Sequence, residues 1–419
     1  MKKILNKYLS TSLILRILVG IAAGVLLAFL FPHAQKLGLL GDLFVGALKA
    51  IAPLLVAVLV ISSLSRKSSR LDSRFGLVIF YYLLSTWLAS FVAVLASFAF
   101  PLSITLSGQD TDIASAPKGI SGVIDSLLES VISNPIKGLA EANYLSILFW
   151  SVIIGLSLRK LASAGTQQVL SDFSEAITEV VRMVIQTAPF GIMGLVYSAV
   201  SQNGIDIFRS YGKLMLLLVG TMLFVALVIN PIIVGISLRK NPYPLVFRCI
   251  RESGATAFFT RSSAANIPVN MELCRKLGLD KDMYSVSIPL GSTINMDGAA
   301  VTITVMSLAT VHTLDIRVTF MSAVVLSFLS ALAACGTSGV TGGSLLLIPM
   351  ACSLFGVSDS VSMQVVAIGF IIGVVQDSME TAINSSGDAL FTATAEYVHR
   401  KKKGEALPKF LGGDAETEI

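Results

Sequence analysis

The sequence predicts an all-α membrane protein: eight transmembrane helices plus two re-entrant helical hairpins that enter from opposite faces. Three observations carry this. The 419-residue chain is 54% hydrophobic and only 14% charged, against about 45–50% and about 25% in a soluble domain. Eight apolar stretches approach or exceed the roughly 20 residues needed to cross a bilayer. Two further apolar stretches are broken by polar or glycine-rich runs, too early for a crossing.

The eight stretches are residues 13–31, 43–64, 75–103, 145–161, 180–200, 214–238, 284–311 and 362–397. Basic clusters orient them, because cytoplasmic loops carry an excess of Lys and Arg. Lys2 and Lys3, residues 66–74, Arg159 and Lys160, Arg239 and Lys240, and residues 399–403 therefore belong inside, with both termini. The 103–143 loop carries Asp110, Asp112, Asp125 and Glu129 and falls outside, as does 202–213. The basic start "MKKILNKYLSTSLILRILVG" runs on apolar to Phe31 without a small-residue cleavage site, so a removable leader is not expected. Cys249, Cys274, Cys335 and Cys352 show neither CxxC spacing nor a histidine cluster and read as buried thiols. The net charge of +5 lies mostly in membrane-flanking loops, which gives nucleic-acid binding no support.

The hairpins follow from a conflict in that orientation. Residues 239–251 and 275–281 are both basic, yet "SGATAFFTRSSAANIPV" (253–269) lies between them. It is too short and too polar to span, so it dips in and returns. The segment 320–357 consists of two half-length apolar pieces around a break at 336–343, and a single crossing there would strand the basic tail outside. Irregular backbone at membrane depth survives only where protein buries it or it lines a wet cavity. Two hairpin-plus-helix units entering from opposite faces form the inverted repeat of secondary transporters, whose sites lie at the repeat interface. "NMDG" (295–298) and "NSSGD" (384–388) recur at matching places after the two hairpins.

On a helix, Asp377, Glu380, Thr381, Asn384 and Asp388 stand at i, i+3, i+4, i+7 and i+11 and share one face. Each intramembrane acid costs about 2.5–3.5 kcal/mol on insertion scales, so this stripe should face a polar interior. A structural network, with Glu380 paired to Arg261, is the competing reading. "GSTINMDGA" (291–299) suggests an unwound helix whose carbonyls, with Asp297, suit an alkali cation. Tyr82, Ser85 and Thr86 lie at helical spacing in the third span; alone, such hydroxyls commonly bond their own backbone. Ser262, Ser263 and "GTSG" (336–339) at the hairpin tips offer backbone N–H groups and helix N-termini to a carboxylate. Gly336, Gly339, Gly342 and Gly343 would let the second tip swing as a lid.

Together, "TRSSAANIP", "NMDGA", "GTSGVTGG" and "DSMETAINSSGD" resemble the motifs of the dicarboxylate/amino-acid:cation symporter family, the glutamate-transporter fold. The likeness covers the whole chain, is strongest over 258–395, and points within the family toward the bacterial sodium/serine–threonine symporters. It implies a homotrimer in the bacterial inner membrane. A scaffold, mainly 10–65 and 140–203, would hold an elevator-like transport domain, mainly 75–103, 213–240 and 245–400, with hairpins at about 250–272 and 320–355. It implies that Asp377 takes the substrate ammonium, that Asn384 and Ser263 take the α-carboxylate, and that Ser262, Thr337, Gly339 and Thr381 lie beside the substrate. One Na⁺ site is implied at Asp388 with carbonyls of Gly291, Asn295 and Asn384. A second is implied at Thr293 with carbonyls of Ala334, Cys335 and Thr337, and a third at Tyr82, Ser85, Thr86, Asn295 and Asp297.

Glu380 departs from the family's acidic-substrate carriers, which place an arginine there. A carboxylate repels a dicarboxylate in a poorly hydrated site, while Asp377 argues for an amino group. Ala299 and Ala264 each remove a family hydroxyl, and a small neutral hydroxy amino acid fits what remains. The expectation is a sodium-coupled importer of L-serine and L-threonine, not an enzyme; the alternative is a sodium- or proton-coupled carrier of another small neutral or acidic amino acid. A channel fits an occluded acidic stripe less well. A serine hydrolase lacks a placed base, since His33, His312 and His399 all lie near predicted membrane ends.

Overall fold

A computed structural model describes residues 11, 13–65, 73–106, 133–141, 143–204, 207–337 and 342–413. Most of the predicted 103–143 loop, and Gly339 at the second tip, lie outside the described residues. Within them all regular structure is helical and no strand occurs. The first group of helices is α1 (Leu13–Leu30), α2 (Leu39–Ser65), α3 (Ser73–Ala99), α4 (Pro135–Ala140), α5 (Tyr144–Leu161), α6 (Ala164–Gln186) and α7 (Ala188–Asn203). Then come α8 (Ile207–Phe224), a π turn at Val225–Ile229, and α9 (Asn230–Leu238). Helix α10 (Tyr243–Cys249), a second π turn (Ile250–Gly254), α11 (Ala255–Thr260) and α12 (Ile267–Lys276) form the first hairpin. They are followed by α13 (Lys281–Ile294) and α14 (Asp297–Thr313). Helix α15 (Phe320–Ala334), a 3-10 turn (Ser344–Leu347) and α16 (Ile348–Ser353) form the second hairpin, and α17 (Asp359–Lys403) closes the set.

By length and apolar character, five of these segments are able to cross a membrane: α2, α3, α8–α9, α13–α14 and α17. A sixth is available if α6 and α7, bent by 52°, count as one span. The chain is a multi-pass membrane protein. Residues 180–200, expected as one straight crossing, are divided at Thr187. Pro189 sits in the first turn of α7, where its missing N–H costs nothing, and it cannot continue α6. Helix α6 is amphipathic instead: Ser174, Ile177, Thr178, Val181 and Ile185 form its buried stripe.

Two packing groups emerge. Helices α1, α2, α5, α6 and α7 pack mainly on one another. Helices α3 and α8–α16 gather around α14 and α17. Between the groups lies a cavity of about 670 Å³, lined by Asp42, Tyr197, Gln202, Tyr211 and Gln364 among others. Helix α17 is the spine of the second group, buried almost continuously from Val361 to Tyr397. Its 45 residues reach about 67 Å at 1.5 Å per residue, beyond the roughly 30 Å hydrocarbon core. Ser358 caps its start, and Arg400 to Lys403 fill its last turn, complementing the helix dipole before Gly404 ends it.

Candidate functional site

The sequence stretch 291–299 breaks as its composition suggested, with α13 ending at Ile294 and α14 starting at Asp297. Asn295 and Met296 carry non-helical backbone (φ −93°, ψ 88° and φ −125°, ψ 49°). The two glycines, however, lie inside helices and serve another purpose. A Cβ on Gly298 would come 2.7 Å from the Cα of Glu380, and one on Gly291 would come 2.8 Å from Asp388 Oδ1 and from the Tyr82 hydroxyl. Glycine at these positions lets α13 and α14 lie directly on α17 at its polar stripe.

Around the break the polar groups of three spans interlock. Ser85 donates to Asp297 Oδ1 (2.9 Å) and to Asn295 Oδ1 (3.2 Å), and Thr86 lies 3.3 Å from Asp297 Oδ1. Thr86 also accepts from the Met296 N–H (3.0 Å). Asn230, which the sequence reading missed, donates to Asp297 Oδ2 at 2.9 Å; an Asn inside the apolar run "ALVINPIIV" was its signal. Tyr82 bridges to the backbone oxygens of Ser287 (3.2 Å) and Asp388 (3.1 Å) and to Thr392 (2.9 Å). Asn295 Nδ2 donates to Asn384 O (2.8 Å) and Asp388 Oδ1 (3.1 Å). Among the described residues, buried Asp388 Oδ2 and Asn230 Oδ1 have no hydrogen-bond partner. A buried carboxylate oxygen left without a donor is costly, and oxygen donors of this kind fit a hard cation.

Asn384 sits with its Oδ1 accepting the Gly298 N–H at 2.7 Å. Thr381 bonds back to Asp377 O (2.8 Å). Ser263 is buried at the first tip, and Ser262 accepts from the Ala265 N–H (3.2 Å). At the second tip Cys335 Sγ lies 3.3 Å from Ile294 O and Thr337 donates to Ala334 O (2.8 Å), while Thr293 bonds back to Leu290 O (2.8 Å). The start of the second tip thus rests on the broken span.

Both tips converge on Asp377. Arg261 Nε donates to Asp377 Oδ2 at 2.7 Å and the Gly342 N–H donates to Oδ1 at 3.0 Å. The open possibility of an Arg261–Glu380 pair is therefore corrected. Glu380 Oε2 instead accepts from Thr302 (2.8 Å), Ser344 (2.8 Å) and Gln376 (2.6 Å). Three neutral donors already surround that oxygen, leaving the cation to Asp377. The void beside Arg261, Gly342 and Asp377 is about 10 Å³, room for one water at most.

An all-helical membrane protein with two hairpin tips and a broken span around a buried acidic stripe is, by class, a secondary transporter. The chain belongs to the sodium:dicarboxylate symporter family, whose model matches residues 13–397. It is similar to the serine/threonine transporter SstT of Bifidobacterium adolescentis, with 55% identity over 96% of this chain and 94% of that protein. It is also 56% identical to that of Streptococcus agalactiae serotype Ia, over 94% and 98% of the two chains. A third such transporter, from Streptococcus thermophilus LMG 18311, is 53% identical over 96% of this chain and its own full length.

Proposed function

We propose that this protein is a sodium-coupled symporter that imports small neutral amino acids, chiefly L-serine and L-threonine, by alternating access. The observation that carries this reading is the stripe on α17: Asp377 meets both hairpin tips, and Asp388 meets the broken span. Asp377 takes the substrate ammonium when a tip withdraws from it. Asn384 and the Ser263 tip take the α-carboxylate, with Ser262, Thr337, Gly339 and Thr381 alongside. Na⁺ binds as co-substrate at Asp388, whose unmatched oxygen suits it, with carbonyls of Gly291, Asn295 and Asn384. It binds also at Asp297 with Tyr82, Ser85, Thr86 and Asn295, and at Thr293 with carbonyls of Ala334, Cys335 and Thr337. Glu380 disfavours aspartate and glutamate by like-charge repulsion.

In this reading the group around α14 and α17 travels against the group around α2 and α7, in eight crossings and two hairpins. The protein is a homotrimer of the bacterial inner membrane, with both termini in the cytoplasm. The sparse contact between the two groups, with a cavity of about 670 Å³ in it, supports such sliding. Each inward Na⁺ charge draws about 2.3 kcal/mol per 100 mV of membrane potential. The test is uptake into proteoliposomes with competing serine, threonine, alanine, aspartate and succinate, with and without a Na⁺ gradient. Serine uptake that needs Na⁺ and ignores succinate is expected. Strong Na⁺-driven aspartate uptake would defeat the substrate assignment.

A further inference from the structure

We infer that Glu380 is the latch of the second hairpin, acting through Ser344, so that its carboxylate holds the lid shut as well as rejecting acidic substrates. The inference rests on the symporter reading for its meaning but on separate contacts for its support. Glu380 is 6% exposed, and its Oε2 gathers donors from three elements: Thr302 on α14, Ser344 on the second hairpin and Gln376 on α17 itself. Gln376 stands one turn before Glu380 and also reaches Thr302 Oγ1 at 2.7 Å. These two residues fix the carboxylate from the side away from the hairpin.

Ser344 approaches from the other side. It opens the 3-10 turn of the inner arm, directly beyond the tip, and is itself 1% exposed. Two residues earlier the Gly342 N–H rests on Asp377 Oδ1. The inner arm therefore meets α17 at two carboxylates one turn apart. An arriving ammonium at Asp377 disturbs the first contact and leaves the second intact. Lifting the inner arm breaks the Ser344–Glu380 bond at 2.8 Å. Thr302 and Gln376 remain on the carboxylate, so the broken latch re-forms on the same oxygen. Glu380, Gln376 and Thr302 are positioning residues for closure.

Cys335 supplies a native reporter. Its Sγ contacts Ile294 O at the start of the tip, whereas Cys249, Cys274 and Cys352 are buried. Thiol-reagent labelling of Cys335 in Na⁺ without substrate reads lid opening directly. Ser344→Ala is expected to speed labelling about tenfold and to weaken Na⁺-dependent serine binding by a similar factor. Glu380→Gln should do the same, Ser344→Thr should restore the wild-type rate, and the double variant should not exceed the stronger single one. Multiplying effects, or an unchanged Cys335 rate in Ser344→Ala, would overturn the latch. The labelling needs no substrate, so a wild-type protein that fails to bind serine defeats the symporter reading and leaves this test standing. Should Glu380→Gln fail to fold, the Ser344→Ala and Ser344→Thr pair still decides.

Discussion

The two hairpins are fastened to the same helix by opposite chemistry. The first is held by a knot of neutral side chains on Ser385. Asn266 Nδ2 donates to Ser385 Oγ (2.8 Å) and Ser253 Oγ (3.0 Å), and Asn270 Nδ2 to Ser385 O (3.0 Å) and Oγ (3.1 Å). All four residues are fully inaccessible, and both arms of the hairpin take part. The second hairpin is held through Asp377 and Glu380, carboxylates on the stripe that the substrate would use. A neutral knot offers no charge for a bound amino acid to compete for, whereas the carboxylates of the stripe do. Arg261 does tie the first tip to Asp377, but the knot keeps that hairpin seated if the ion pair is lost. On this comparison a substrate at the stripe would disturb the second hairpin's contacts more than the first's.

The comparison breaks hardest at Asp377, where both tips meet. Asp377→Asn removes the carboxylate that accepts from Arg261 Nε and from the Gly342 N–H, and truncating one member of a buried charge pair costs about 2–5 kcal/mol. Serine uptake in vesicles should fall by at least about thirtyfold, and retention of most activity would remove Asp377 from the site. Next in size is the knot. Ser385→Ala removes one hydrogen bond each from Asn266 and Asn270, which keep Ser253 Oγ and the carbonyl of residue 385, at about 0.5–1.5 kcal/mol for each bond lost. The thermal unfolding midpoint should drop while Cys335 labelling stays at its wild-type rate. Faster labelling would show that the two hairpins are not independent.

Replacing Glu380 by Arg sharpens the comparison at the other hairpin. It exchanges the latch for a cation that receives a second carboxylate, so serine transport should weaken several-fold and aspartate should begin to compete, as cross-inhibition assays would record. Unchanged serine kinetics would make Glu380 a bystander.

The smallest effect lies at the foot of the first hairpin. Asp280 caps α13 and accepts from Arg74 Nη1 at 2.8 Å. That hydrogen bond holds its carboxyl below the ordinary carboxylate value. A depressed carboxyl contributes stability above its unfolded pKa and loses it as pH falls through the folded one. Asp280→Asn should therefore be slightly less stable at neutral pH, and the gap should close in acid, below about pH 4. A gap that persists there would assign the effect to the cap alone. The side chain is 38% exposed, so screening keeps this contribution modest.

Much of the site was legible because it is periodic. The stripe from Asp377 to Asp388 shows in the spacing of one helix, and the break at 295–296 in the run "NMDG". What escaped depends on which elements meet. Arg261 lies 116 residues from Asp377 in sequence, and local pattern gives no preference for Asp377 over Glu380. Thr302 and Asn230 are single polar residues in apolar runs and Ser344 borders the glycine-rich break, and only the packing brings them onto carboxylates. The bend at Thr187 was hidden for another reason: Pro189 was in plain view, but hydropathy averages across it. Gly291 and Gly298 read as helix breakers, and their close-packing role appears only with α17 in place.

Spin-label distances within the group around α17 test the central claim most directly, since travel of the whole group leaves them unchanged. One pair joins exposed Leu332, just before the second tip, to exposed Lys402 on α17; the other joins exposed Ala265 at the first tip to Lys402. Both are made with Cys335 replaced by serine. Adding serine in Na⁺ should shift and narrow the Leu332–Lys402 distribution and leave Ala265–Lys402 as it was. Equal shifts in both pairs, or a shift in the Ala265 pair alone, would contradict the account.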